Sequence, residues 1–160
     1  MKYVNCQIVF REIPDEITLA INISNCPFKC LECHSSYLRD DIGTEITEET
    51  LKDLISSHKG ITCISFMGGD RDPSEVNTLA KWLKEHTKLK VAWYSGRDVI
   101  SGDISIINFD YIKIGHYDKD CGPLNVPTTN QILYKVEDGK LENITYKFWK
   151  QDETFSQVYL

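Results

Sequence analysis

The sequence predicts an open α/β fold: a partial β/α barrel with a mostly parallel sheet and a C-terminal hairpin, in one domain spanning residues 1–160. Three observations carry this prediction. Apolar runs of strand length alternate with capped helical stretches, the pattern of crossover units in a parallel sheet. The run Ile61 to Met67 is almost continuously apolar, as in strands buried on both faces. And 160 residues leave room for only about four or five strand-helix units, too few to close a barrel of eight.

Taken in order, Glu16 to Ser24 is the first strand, with apolar residues alternating at Ile17, Leu19, Ile21 and Ile23. It runs into Asn25, Cys26 and Pro27. The stretch from there to about Glu45 shows no sustained periodicity and is expected to be a long functional loop. A helix follows, with Thr47 as N-cap, Glu48 and Glu49 at the positive end of its dipole, and Ile46 with Leu51 at staple spacing. Leu51, Leu54 and Ile55 form its buried stripe.

Ile61 to Met67 is the second strand, ending at Gly68 and Gly69. Asp72, Pro73 and Glu75 have the spacing of an N-cap, an N1 proline and a capping box. The helix they open carries Val76, Leu79, Ala80 and Leu83 on one face and ends near His86. Leu89 to Gly96 and Phe109 to Gly115 are further strands. Gln131 to Val136 and Leu141 to Trp149 flank Asp138-Gly139, the signature of a hairpin turn.

Composition narrows the function classes. Eighteen basic against 24 acidic residues give a net charge of −6 with no basic tract, so nucleic acid is not an expected partner. No apolar stretch approaches the roughly 18 residues of a membrane span. The segment MKYVNCQIVF has none of the features of an export signal, and a cytoplasmic location is expected. No Walker loop, G-x-G-x-x-G fingerprint or Ser/His/Asp pattern is present.

Three of the six cysteines, Cys26, Cys30 and Cys33, form a C-x3-C-x2-C array directly after a strand. Thiolates are soft ligands suited to iron-sulfur centres, and three on one loop can hold three corners of a cuboidal cluster. The fourth iron is then left open for a substrate, as the open position is in catalytic zinc sites. A zinc site completed by Cys63 or Cys121, in a non-catalytic interaction module, stays open at this point, as does a set of small buried hydrophobes. Cys6 and Cys63 fit strand interiors, and Cys121 has no role.

This array, with its trailing His34 and Ser35-Ser36-Tyr37-Leu38, resembles the radical S-adenosylmethionine (SAM) enzymes. Phe66-Met67-Gly68-Gly69-Asp70, Trp93-Tyr94-Ser95-Gly96 and Thr128-Thr129-Asn130-Gln131 extend the resemblance over roughly residues 21 to 131. It is more narrowly similar to the smallest glycyl-radical-enzyme activases, which act on anaerobic ribonucleoside-triphosphate reductase. An activase of another glycyl-radical enzyme, of the formate lyase type, is the neighbouring alternative.

The resemblance implies a 4Fe-4S cluster on Cys26, Cys30 and Cys33, with the amino and carboxylate groups of SAM on the fourth iron. It implies SAM contacts from Glu32, Cys33 and His34, from the turn of Gly68, Gly69 and Asp70, and from Ser95. It also implies a protein substrate, the reductase, and a low-potential electron donor such as flavodoxin. The radical chemistry would be borne by the cofactor, with no catalytic side chain. Two departures stand out: Asp70-Arg71 replaces the commoner Glu-Pro after the glycines, and Glu32 stands where many relatives carry an aromatic residue. Asn130 and Gln131 face the protein substrate under this reading, or bond the backbone of their own loop.

Overall fold

The computed structural model describes residues 1–149, so residues 150–160 of the expected domain lie outside the described residues. Eight strands form one open sheet: β1 (Lys2–Val9), β2 (Thr18–Ile23), β3 (Thr44–Glu45), β4 (Cys63–Met67), β5 (Lys90–Tyr94), β6 (Tyr111–Ile114), β7 (Ile132–Glu137) and β8 (Lys140–Asn143). Their order across the sheet is β3-β1-β2-β4-β5-β6-β7-β8, and the two outer strands do not meet to close a barrel. The four strands from β2 to β6 in that order are parallel and are the four apolar runs of the sequence. Antiparallel strands flank them on both sides, so the expected parallel sheet is the middle of a wider mixed one.

Two helices, α1 (Glu48–Ser57) and α2 (Pro73–His86), start where the capping residues place them. Thr47 Oγ1 accepts from Thr50 N, and Asp72 Oδ1 accepts from Glu75 N at 3.1 Å. The capping box is not completed, because the Glu75 carboxylate accepts instead from the Met1 amino group at 2.8 Å. In the terminal hairpin Asp138 and Gly139 both adopt positive φ, as a two-residue primed turn requires. The second arm stops at Asn143, whose side chain accepts from Thr145 N and turns the chain into a 3-10 segment, Thr145–Phe148.

Alternation along the strands divides the core. Ile21, Phe66, Trp93 and Ile112 pack with α1 and α2 in the larger cluster, which buries Leu51, Val76 and Leu83. On the other face Cys63, Ala92 and Tyr111 pack against Ile13, Leu133 and Ile144. Ile13 and Ile144 come from the loop before β2 and the segment after β8, which together cover this face.

The opening ends of the parallel strands are tied by one buried carboxylate. Glu16 Oε2 accepts from Thr62 Oγ1 at 2.6 Å, and Glu16 Oε1 accepts from Tyr111 OH at 3.1 Å and from Lys90 Nζ. This leaves the opposite, carboxyl edge for the cysteine loop. No helix among the described residues is long and apolar enough to cross a membrane.

Candidate iron-sulfur site at the carboxyl edge of the sheet

Four strands parallel to one another deliver their following residues to one edge, where ligands of open α/β folds bind. β2 delivers Cys26, β4 delivers Gly68-Gly69-Asp70, β5 delivers Ser95-Gly96, and β6 delivers Gly115-His116. Three of the four segments singled out in the sequence therefore meet at this edge. The fourth joins them through its own loop: Asn130 Nδ2 donates to His116 O at 2.9 Å, and Thr128 Oγ1 donates to Cys121 O at 2.7 Å. The loop-bonding role read for Asn130 is the one its amide takes.

The cysteine loop is anchored at several points. Cys26 N donates to Leu38 O at 2.9 Å, and Arg39 Nη2 donates to Cys30 O at 2.7 Å. Glu32 takes a positive φ of 56°, which turns the chain back between Cys30 and Cys33. The Phe28 ring lies on Gly96, where a Cβ would come within 2.7 Å of it. Glu32 and His34 are exposed, and the His34 ring stands 6.1 Å from the Tyr117 ring.

All six cysteines are free, and the three of the loop are half-buried. Burial pushes the Cys26 thiol up; a backbone bond from Phe28 opposes this, and Asp70, Cys30 and Cys33 add their negative charge. Ligation of a metal by thiolates displaces the protons of the thiols. No three His, Cys, Asp or Glu side chains among the described residues converge closely enough to hold a single metal ion as they stand. The donor set itself, three soft sulfurs on one anchored loop, fits an iron-sulfur cluster. Of the other two candidate zinc ligands, Cys63 is buried in the core with its thiol pushed up to about 12 by desolvation.

The glycine turn is held from β5. Trp93 Nε1 donates to Gly68 O at 2.8 Å, and Gly68 N donates to Tyr94 O at 2.9 Å. Gly68 and Gly69 both have positive φ, and a Cβ on Gly69 would stand 2.5 Å from Val76. Asp70, 3% exposed, accepts from Ser95 Oγ at 2.5 Å and from Gly96 N at 3.0 Å. Arg97 Nη2 donates to Asp70 O at 2.9 Å. Two residues assigned independently from the sequence, Asp70 and Ser95, are therefore direct partners of each other.

Lys113, which the sequence reading passed over, is buried at the same edge. Its Nζ donates to Gly115 O at 2.6 Å and to Ser95 O at 3.4 Å. Burial pushes its pKa down to about 8, against the pull of Asp70, Cys30 and Asp98. The signal was visible as a lone lysine inside the apolar run YIKIG.

On the face away from the helices a groove of about 930 Å³ is lined by Phe10, Tyr94, Leu124, Tyr146, Phe148 and Trp149. Its walls come from the loop before β2, the loop between β6 and β7, and the segment after β8, with Tyr94 of β5 among the lining residues.

An open α/β sheet with three free thiols on an anchored loop at its ligand-binding edge defines a protein of the iron-sulfur class. A family model described as a 4Fe-4S single cluster domain matches residues 17–101, just over half of the chain, and the chain belongs to that family. The match takes in the cysteine loop, the glycine turn and Ser95. No curated protein and no solved structure matches the chain.

Proposed function

We propose that this chain is a radical SAM activase that generates a glycyl radical on anaerobic ribonucleoside-triphosphate reductase. The observation that supports this most is the meeting of the cysteine loop, the Gly68-Gly69 turn and Ser95-Gly96 at one sheet edge, with Phe28 seated on Gly96. A cluster held by Cys26, Cys30 and Cys33 would supply the low-potential electron for reductive cleavage of SAM, and with it the means to remove a Cα hydrogen from a glycine of the reductase.

The chain's own residues position and shield. Cys26, Cys30 and Cys33 hold the cluster. Gly68 and Gly69 bring their backbone close to SAM, each carbonyl keeping a second lone pair beyond its internal bond. Asp70 acts chiefly on Ser95 and Gly96, which fixes the glycine turn against the end of β5. Glu32, Cys33 and His34 form the loop side of the SAM pocket. The sheet stays open, which leaves its carboxyl edge accessible to a loop of a protein substrate.

The test mixes the anaerobically reconstituted chain with SAM, a low-potential reductant such as reduced flavodoxin, and the reductase. A doublet glycyl radical signal in electron paramagnetic resonance (EPR) is expected on the reductase and not on a formate lyase type enzyme. The reverse pattern would transfer the activity to that other enzyme class, and SAM cleavage with no radical on either would end the activase reading.

A further inference from the structure

We propose that the Lys113 ammonium is a fixed positive charge that raises the reduction potential of the cluster held by the cysteine loop. The inference rests on Cys26, Cys30 and Cys33 as cluster ligands, and goes beyond that assignment to how the protein tunes the bound group.

Lys113 stands on β6 between β5 and β7, paired with Tyr94 and Leu133, and is 7% exposed. Its Nζ bonds two carbonyls, of Gly115 and Ser95, and lies 5.8 Å from the centre of the Tyr94 ring. Carbonyl oxygens and a ring face solvate an ammonium but do not neutralise it. No carboxylate oxygen among the described residues comes within the 4.0 Å of an ion pair. The contrast with other lysines of this chain is direct, since Lys84, Lys90, Lys135 and Lys147 each meet a carboxylate.

A buried, unpaired cation is costly, and a fold keeps one where an anion is due to stand. The carboxylates whose charge acts on Lys113 are Asp70 and Asp98. Asp70 already accepts from Ser95 and Gly96, and Asp98 from His116. Ser95, whose carbonyl the ammonium meets, precedes Gly96, and the Phe28 ring of the cysteine loop lies on Gly96, so the ammonium stands where that loop docks. Three thiolates outweigh the charge of a 4Fe-4S core, so the loaded loop is anionic, and reduction by one electron makes it more so. A cation fixed nearby in a low-dielectric setting favours that reduced form, because net charge and burial are among the levers on cluster potential. The step is a one-electron transfer from an external low-potential reductant, and below about pH 8 Lys113 is already protonated and neither gains nor loses a proton in it.

The test is a dithionite titration monitored by EPR on anaerobically reconstituted protein without SAM. The proteins compared are wild type, Lys113→Met, Lys113→Arg and, as a distant control, Lys135→Met. Lys113→Met is expected to lower the equilibrium constant for one-electron reduction about tenfold, a shift of about 59 mV to more negative potential. Lys113→Arg should keep the wild-type value, and Lys135→Met should not move it. If Lys113→Met does not fold, Lys113→Gln, which keeps amide donors for the two carbonyls, is expected to give the same shift. A loaded Lys113 variant with an unmoved potential, or an equal shift in Lys135→Met, would overturn the proposal and leave the cysteine ligands standing. Failure of wild type to take up iron would instead remove the ligand assignment on which it rests.

Discussion

The Phe28 ring rests on Gly96, and no side chain fits between them: a Cβ on Gly96 would stand 2.7 Å from the ring. Gly96 follows β5 and Phe28 lies between the first two cysteines, so this contact seats the cysteine loop against the end of β5. Gly96→Ala should displace the ring at a cost of about 1–3 kcal/mol, as overpacking does. Its visible effect should be on the loop, with iron uptake after reconstitution falling several-fold while the far-ultraviolet circular dichroism stays that of the wild type. Normal iron uptake in Gly96→Ala would show that the loop is positioned by other contacts.

Asp70→Asn removes the carboxylate that accepts from Ser95 and Gly96. The amide keeps one acceptor oxygen and sets an NH2 against the other donor, so one bond is lost and the remaining one is no longer charged, which predicts destabilisation of about 1.5–3 kcal/mol in urea unfolding. SAM affinity should fall with it, because the glycine turn loses its tie to β5. Unchanged stability together with lost SAM binding would mean that Asp70 acts on the ligand directly and not through Ser95 and Gly96.

At the opposite edge, burial alone would raise the Glu16 carboxyl, but bonds from Lys90, Thr62 and Tyr111 outweigh it and hold its pKa below the ordinary range. The unfolded value is about 4.3. A depressed folded pKa means that the stabilisation is complete above the unfolded value and is lost as pH falls through the folded one. Glu16→Gln should therefore cost about 1.5–3 kcal/mol at neutral pH. The gap from wild type should narrow as the pH drops below about 4. A gap independent of pH would show that the carboxylate charge contributes nothing.

Without a cluster, the unpaired Lys113 ammonium is a burden on the fold. Replacing buried charge with an apolar chain of similar length is often neutral or stabilising. Apo Lys113→Met is accordingly expected to melt at or above the wild-type temperature. A lower melting temperature would indicate that the bonds to Gly115 and Ser95 stabilise more than the buried charge costs.

Much of this architecture is legible in the sequence because single physical signals dominate locally. The four parallel strands are apolar runs between glycines and prolines, both helices start at side chains that cap them, and the hairpin turns at Asp138-Gly139. β1 is less legible: its residues are half-exposed next to the short edge strand β3, so its pattern lacks a clean apolar face. β3 has two residues and exists only by pairing with β1. In the site, the array of Cys26, Cys30 and Cys33 is readable from spacing alone. The bond between Ser95 and Asp70 is not, since 25 residues separate them and only the parallel pairing of β4 with β5 brings them together. Lys113 was hidden for a related reason. A lysine in a strand reads as an exposed position until the neighbouring strands are known to cover it.

The cysteine loop is the proposed cluster site, and iron, sulfide and zinc analysis after anaerobic reconstitution tests this most directly. Wild type and variants with serine at Cys6, Cys63 or Cys121 should approach four irons and four sulfides per chain, the composition of a 4Fe-4S cluster. Serine at Cys26, Cys30 or Cys33 should abolish that loading, and added SAM should change the EPR spectrum of the reduced wild-type cluster. Zinc in place of iron, or full iron loading in the Cys26, Cys30 and Cys33 variants, would contradict the account.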